Sequence, residues 1–168
     1  MADVMMTASP LPAQGSSYDG VTIAPAPAMR RYALRARDAA ELAGVIGRTL
    51  PERIGQDASG VIQIGPDEYY ALLGAADSVP LGEGRAVSVV DVSSRAVGIV
   101  IEGPRAVETI MAGCPLDMEA FAVGRGTRTV FETVEIVLRR DSETRFHIEV
   151  WRSFAPWLWQ ALCEAAHG

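Results

Sequence analysis

A chain of 168 residues that is 49% apolar has ample material for a core, and one domain is the expectation. Its net charge of −6, with every basic residue a scattered arginine, argues against nucleic acid, which requires a clustered positive surface. Cys114 and Cys163 are too few for a disulfide framework or a zinc site, and no run approaches the ~20 apolar residues of a membrane span, so a cytoplasmic protein with reduced thiols is expected.

Residues 1–29 are rich in Ala, Pro, Ser, Gly and Met and close on Ala24-Pro25-Ala26-Pro27-Ala28-Met29. Alone, such a segment buries too little apolar surface to offset its ordering entropy. The expectation is an extended or disordered N-terminal arm over 1–29, followed by a single α+β domain over 30–168. Two readings of the arm stand, a loose tail and an arm laid along a partner subunit. The opening Met1-Ala2-Asp3-Val4-Met5-Met6 lacks the basic-then-apolar order of a secretory signal.

Arg31 to Arg37 alternate basic with apolar residues as a half-buried strand does. Asp38 then caps a helix with Glu41 at the capping-box position, Leu42, Val45, Ile46 and Leu50 on its apolar face, and Pro51 at its exit. A strand that ends in Gly-Pro and turns into a helix is expected twice. Val61–Ile64 with Gly65-Pro66 leads into a helix opened by the acids Asp67 and Glu68, and Val97–Glu102 with Gly103-Pro104 leads into a helix closed by Gly113 and Pro115. Val87–Ser94 and Thr127–Thr133 read as further strands.

Val134, Ile136 and Leu138 alternate with more polar neighbours, as do Phe146, Ile148 and Val150, which predicts an antiparallel hairpin. For the two apolar faces to coincide, Leu138 must lie opposite Phe146 or Ile148, and the loop must be odd, three or five residues. The last helix, from near Ser153, carries Phe154, Trp157, Leu158, Ala161, Leu162 and Ala165 on one face, and Trp159, Cys163 and Ala166 in a second apolar stripe. A surface helix needs one such stripe. The second is explained either by a helix sunk in its own core or by Trp159 packing on another chain, so Trp151, Trp157, Trp159 and Cys163 are the candidate partner interface. The sum is an α+β domain, a mostly antiparallel sheet with packed helices.

Four blocks in register, Ile64-Gly65-Pro66-Asp67-Glu68, Val90-Asp91-Val92-Ser93-Ser94-Arg95, Gly113-Cys114-Pro115-Leu116-Asp117 and Arg152-Ser153-Phe154-Ala155-Pro156-Trp157-Leu158-Trp159, resemble the gamma subunits of heterotetrameric sarcosine oxidases, in order from about Tyr32 to Ala166. The resemblance implies a fold like the folate-binding domains of aminomethyltransferases and partnership with alpha, beta and delta subunits. It implies a complex that oxidatively demethylates sarcosine to glycine, passes the one-carbon unit to tetrahydrofolate and releases hydrogen peroxide. It also implies that FAD, FMN, NAD, zinc and tetrahydrofolate belong to the partner subunits, this chain binding no cofactor and carrying no catalytic or metal-binding residue. The residues themselves agree on one point, since no Gly-x-Gly-x-x-Gly opens a helix after a strand.

The residues that invite a chemical role have structural readings beside it. Cys114 follows a helix C-terminus, where the dipole disfavours a thiolate. His147 lies mid-strand and reads as a surface or interface side chain. Asp91 with Arg95 could grip a polar ligand, but a turn in which Asp91 or Ser93 bonds nearby amides is the readier account. The leading expectation is a non-catalytic structural subunit of a sarcosine oxidase complex. Two others stand beside it, a self-standing folate- or small-ligand-binding domain and the equivalent subunit of an N-methylglutamate dehydrogenase type complex.

Overall fold

Strand-forming segments dominate the chain, and they assemble as two antiparallel sheets laid face to face. The computed structural model describes residues 8–168. Its strands are β1 (Ser16–Tyr18), β2 (Val21–Pro25), β3 (Met29–Ala36), β4 (Asp57–Ala58), β5 (Val61–Gln63), β6 (Glu68–Gly74), β7 (Val87–Asp91), β8 (Ala96–Glu102), β9 (Gly126–Phe131), β10 (Val134–Arg140) and β11 (Arg145–Trp151). Its helices are α1 (Ala39–Ile46), α2 (Ala106–Met111) and α3 (Ala155–His167). The six-stranded sheet runs β1-β2-β8-β11-β10-β9 and the five-stranded sheet β4-β5-β6-β3-β7. Helices α2 and α3 cover the outer face of the first sheet, and α1 covers the outer face of the second. Between the sheets lies a small third core of Ile62, Tyr70, Leu72 and Val92.

The hairpin β10–β11 carries the phase required by its apolar residues. Leu138 pairs with Ile148, and Asp141 N–H donates to the Arg145 carbonyl at 2.9 Å, leaving a three-residue loop over 142–144. Asp38 caps α1 as expected, its Oδ1 accepting from Ala40 N–H at 2.9 Å and Glu41 N–H at 3.4 Å. Glu41 does not close a capping box. Its Oε1 accepts instead from the Arg85 guanidinium at 3.1 Å and Ala86 N–H at 3.2 Å, tying α1 to the approach of β7.

Three expectations about whole segments need correction. The first concerns the arm over 1–29, of which residues 1–7 lie outside the described residues. From Ser16 to Pro25 the chain forms β1 and β2, and β2 adds to β8 with Ile23 opposite Ile101. Val21 and Ile23 are buried beneath α3. A segment too poor in apolar residues to fold alone is ordered cheaply when it completes a sheet already built, because the ladder and two buried side chains offset its entropy.

The second concerns the first Gly-Pro unit. No helix follows Pro66. Gly65 and Pro66 form a tight turn in which Ile64 N–H donates to the Glu68 carbonyl at 3.0 Å, and β6 returns beside β5. The run Tyr69-Tyr70-Ala71-Leu72-Leu73 is apolar throughout because β6 is buried on both faces, and such a run carries no period to distinguish strand from helix. The second unit does turn into a helix, α2. There Gly103, at φ 133°, brings its Cα to where a Cβ would lie 2.4 Å from the Gly20 carbonyl oxygen, so only glycine fits.

The third concerns Trp159. It is buried in the core under the six-stranded sheet beside Leu158 and Leu162, so the second stripe of α3 is turned into its own domain. Cys163 packs against the same core in a half-buried position. Of the candidate interface, Trp151 and Trp157 remain exposed, each at 39%, joined by Phe154 at 48%.

Candidate functional site

Strand alternation places one set of side chains from each sheet in the space between them. From the five-stranded sheet these are Arg31, Ala33 and Arg35 of β3, Glu68 and Tyr70 of β6, and Ser88 and Val90 of β7; from the six-stranded sheet, Glu135 and Val137 of β10 and His147, Glu149 and Trp151 of β11. At one end the sheets close on a buried polar knot. At the other they part around a cleft of about 420 Å³.

Glu149 is the centre of the knot. One of its oxygens accepts from Arg31 Nη2 at 3.1 Å and lies 2.6 Å from His147 Nε2. The other accepts from Tyr70 O–H at 3.1 Å and from Arg31 Nε. Arg31 also donates to the Met29 carbonyl at 3.0 Å. Burial by itself would raise the Glu149 carboxyl, but the hydrogen bonds and charges of His147 and Arg31 outweigh it and hold the group below its ordinary value. The Tyr70 hydroxyl is pushed up by burial first and by the Glu149 charge second, so it stays protonated and donating. Gly98 on β8 leaves room for this arrangement. A Cβ there would lie 2.7 Å from Glu149 Oε1 and 2.8 Å from His147 Nε2.

The cleft is walled by apolar side chains, including Ala33, Ile64, Val90, Val92 and Val137, and its inner end reaches Tyr70 and Glu149. Its mouth is charged. Glu68 links the sheets by pairing with Arg35 of its own sheet and with Arg128 Nη2 of β9 at 3.0 Å. Glu68 is therefore an inter-sheet tie and not the helix-start charge its sequence context implied. Arg95 and Trp151 stand together at the same mouth, on neighbouring strand ends, with Arg152 N–H donating to the Arg95 carbonyl at 2.8 Å.

The other sequence candidates fall elsewhere. Asp91 bonds Ser93 N–H at 2.9 Å and pairs with Arg30 Nη1 at 3.2 Å, which makes the turn reading the right one and leaves Arg95 without it. Burial pushes the Asp91 carboxyl slightly up, but its bonds to Ser93 and the Arg30 charge bring it below the usual value. Cys114 is buried after α2 with its Sγ 3.9 Å from Thr129 Oγ1, where no base adjoins it. His147, read from the sequence as a surface or interface side chain, is instead 3% exposed inside the knot. No sequence signal could have found this group. His147 and Glu149 alternate with apolar residues as solvent-facing residues do, and their partner Arg31 lies more than a hundred positions away. Among the described residues no group of three His, Cys, Asp or Glu side chains is placed to hold a metal ion, and no helix is long and apolar enough to cross a membrane.

Residues 38–167 match the model of the sarcosine oxidase, gamma subunit family. The chain is 27% identical over 121 residues to sarcosine oxidase subunit gamma of an Arthrobacter species, an alignment that covers 65% of this chain and 60% of that protein. It is 31% identical over 143 residues to the subunit of the same description from Corynebacterium strain U-96, covering 74% and 69% respectively. Among solved structures it superposes on a chain of heterotetrameric sarcosine oxidase from Corynebacterium sp. U-96 in complex with pyrrole 2-carboxylate, with a TM-score of 0.77, 26% identity, and 93% and 90% of the two chains covered. Aminomethyltransferase T of the glycine cleavage system from Bartonella henselae shares the fold, with a TM-score of 0.65 at 13% identity over 85% of this chain and 45% of that one.

Proposed function

The chain belongs to the sarcosine oxidase gamma subunit family, and on that premise we propose that it is the non-catalytic structural subunit of a heterotetrameric sarcosine oxidase. The reaction of the complex is oxidative demethylation of sarcosine to glycine, with the one-carbon unit passed to tetrahydrofolate and hydrogen peroxide released. FAD, FMN, NAD, zinc and the folate are held by the alpha, beta and delta partners, in a cytoplasmic assembly, and this chain fixes their geometry. The observation that carries the reading is the superposition along 93% of this chain on a chain of a heterotetrameric enzyme.

The state of the chemically capable side chains supports it. His147 is occupied by Glu149, and Cys114 is buried at the wrong end of a helix dipole. Contact with the partners is made through the surface where β11 meets α3. Trp151, Phe154 and Trp157 are all exposed there, and Phe154 N–H donates to the Trp151 carbonyl at 3.0 Å, closing the turn that joins β11 to α3. Tryptophan is enriched at interface centres because it buries a large rigid surface at little entropic cost.

Mild affinity purification of the tagged chain from its own source, with a visible spectrum and an intact mass of the product, tests this. A yellow flavin-containing assembly is expected. A colourless chain that purifies alone would remove the proposal.

A further inference from the structure

The cleft between the sheets has the dimensions of a small-molecule site, at about 420 Å³. Its interior and its mouth differ in chemistry, and together they select a class of ligand. Inside, Ala33, Ile64, Val90, Val92 and Val137 present only hydrocarbon. The polar atoms at the inner end are already engaged, since the Glu149 carboxylate takes two bonds from Arg31, one from Tyr70 and one from His147. A polar heterocycle placed there would leave its ring nitrogens unpaired, and a site without partners rejects such a group. A hydrocarbon body loses nothing.

The mouth is lined by three arginines, Arg35, Arg95 and Arg128, and two acids, Glu68 and Glu135, on a chain whose overall charge is −6. Arg35 and Arg128 are committed to Glu68. Arg95 makes no ion pair among the described residues, and it sits beside the exposed Trp151 indole on the lip of the apolar cleft. A guanidinium in this position gains a charge-assisted, two-pronged bond from an incoming carboxylate. We infer that the cleft binds a small apolar carboxylate, its hydrocarbon body between the sheets and its head group on Arg95. The cleft shares Trp151 with the subunit contacts proposed above and involves neither Phe154 nor Trp157.

Calorimetric titration of the full chain with octanoate and with its neutral counterpart 1-octanol tests the inference, with Trp151 emission as an independent signal because its ring lines the cleft. One saturable site for octanoate is expected. Arg95→Gln should weaken octanoate about tenfold while leaving 1-octanol unchanged, since only the charged head group meets the guanidinium. Val137→Trp should abolish binding of both by filling the cleft. Should that variant fail to fold, Ala33→Leu fills the same space from the opposite sheet. Absence of saturable octanoate binding to the wild-type chain would overturn the site, as would binding indifferent to Arg95→Gln or to the filling substitution.

Discussion

Arg31 and Glu149 form an ion pair whose members are 6% and 2% exposed, and the two residues belong to different sheets. A pair so deeply buried stabilises only while it is complete, because either partner left alone is an unsolvated charge. Arg31→Met should therefore cost about 3–5 kcal/mol in urea unfolding. Arg31→Met with Glu149→Leu should recover a large part of that loss, the pair being replaced by packed hydrocarbon. A double variant no more stable than the single would show that the uncompensated carboxylate is not the source of the cost. The same group sets the acid side of the stability curve. Its folded pKa is depressed, so its contribution is complete above the unfolded carboxyl value of about 4.3 and is lost as pH falls from there through the folded value. Glu149→Gln should flatten the fall of unfolding free energy below that pH relative to wild type, whatever it costs at neutral pH.

At the scale of elements, α3 shows how far a helical pattern can be taken. Its two apolar stripes were visible in the sequence, but a stripe does not say whether it is met by its own domain or by another. The fold assigns Trp159 to the inside and leaves Trp157 and Phe154 outside. Trp159→Glu should therefore unfold the isolated chain, with a loss of about 3–5 kcal/mol or more, the range of large core truncations. Trp157→Glu should leave its circular dichroism and melting temperature unchanged and weaken co-purification of partners. The opposite assignment of effects would reverse the packing of the helix. The two Gly-Pro units make the same point from the other side. Their sequences are alike at the turn and diverge immediately after the proline. Asp67-Glu68-Tyr69-Tyr70-Ala71-Leu72-Leu73 supplies apolar residues to both faces, as a central strand needs, while Arg105-Ala106-Val107-Glu108-Thr109-Ile110-Met111 leaves one polar side, as a covering helix needs. Capping at Asp38 and the odd loop of the β10–β11 hairpin were legible because both depend on neighbours within a few residues. The cleft and the Glu149 knot were not, because they exist only once β3 and β11 face each other across the two sheets.

The whole molecule is two unequal halves held by that seam. The six-stranded sheet has two helices over it and the larger core, while the five-stranded sheet has one eight-residue helix, a two-residue strand at one edge and β7 at the other, where Val90 is 49% exposed. What couples them is short of apolar area, the open cleft occupying part of the space where packing would otherwise be. The coupling is left to the third core, the Glu149 knot, and the ties from Glu68 to Arg128 and from Asp57 to Arg139 at 3.5 Å. Local opening free energies follow local burial. Amides of β8, β10 and β11 should accordingly exchange slowest with solvent hydrogen, and those of β4 and β7 fastest. Arg31→Met should widen the gap, speeding exchange in β3, β6 and β7 while β10 keeps its protection, since the substitution loosens the seam and touches no residue under α2 or α3. Uniform acceleration across both sheets would mean instead that the halves unfold as one cooperative unit and that the seam carries more of the stability than either core.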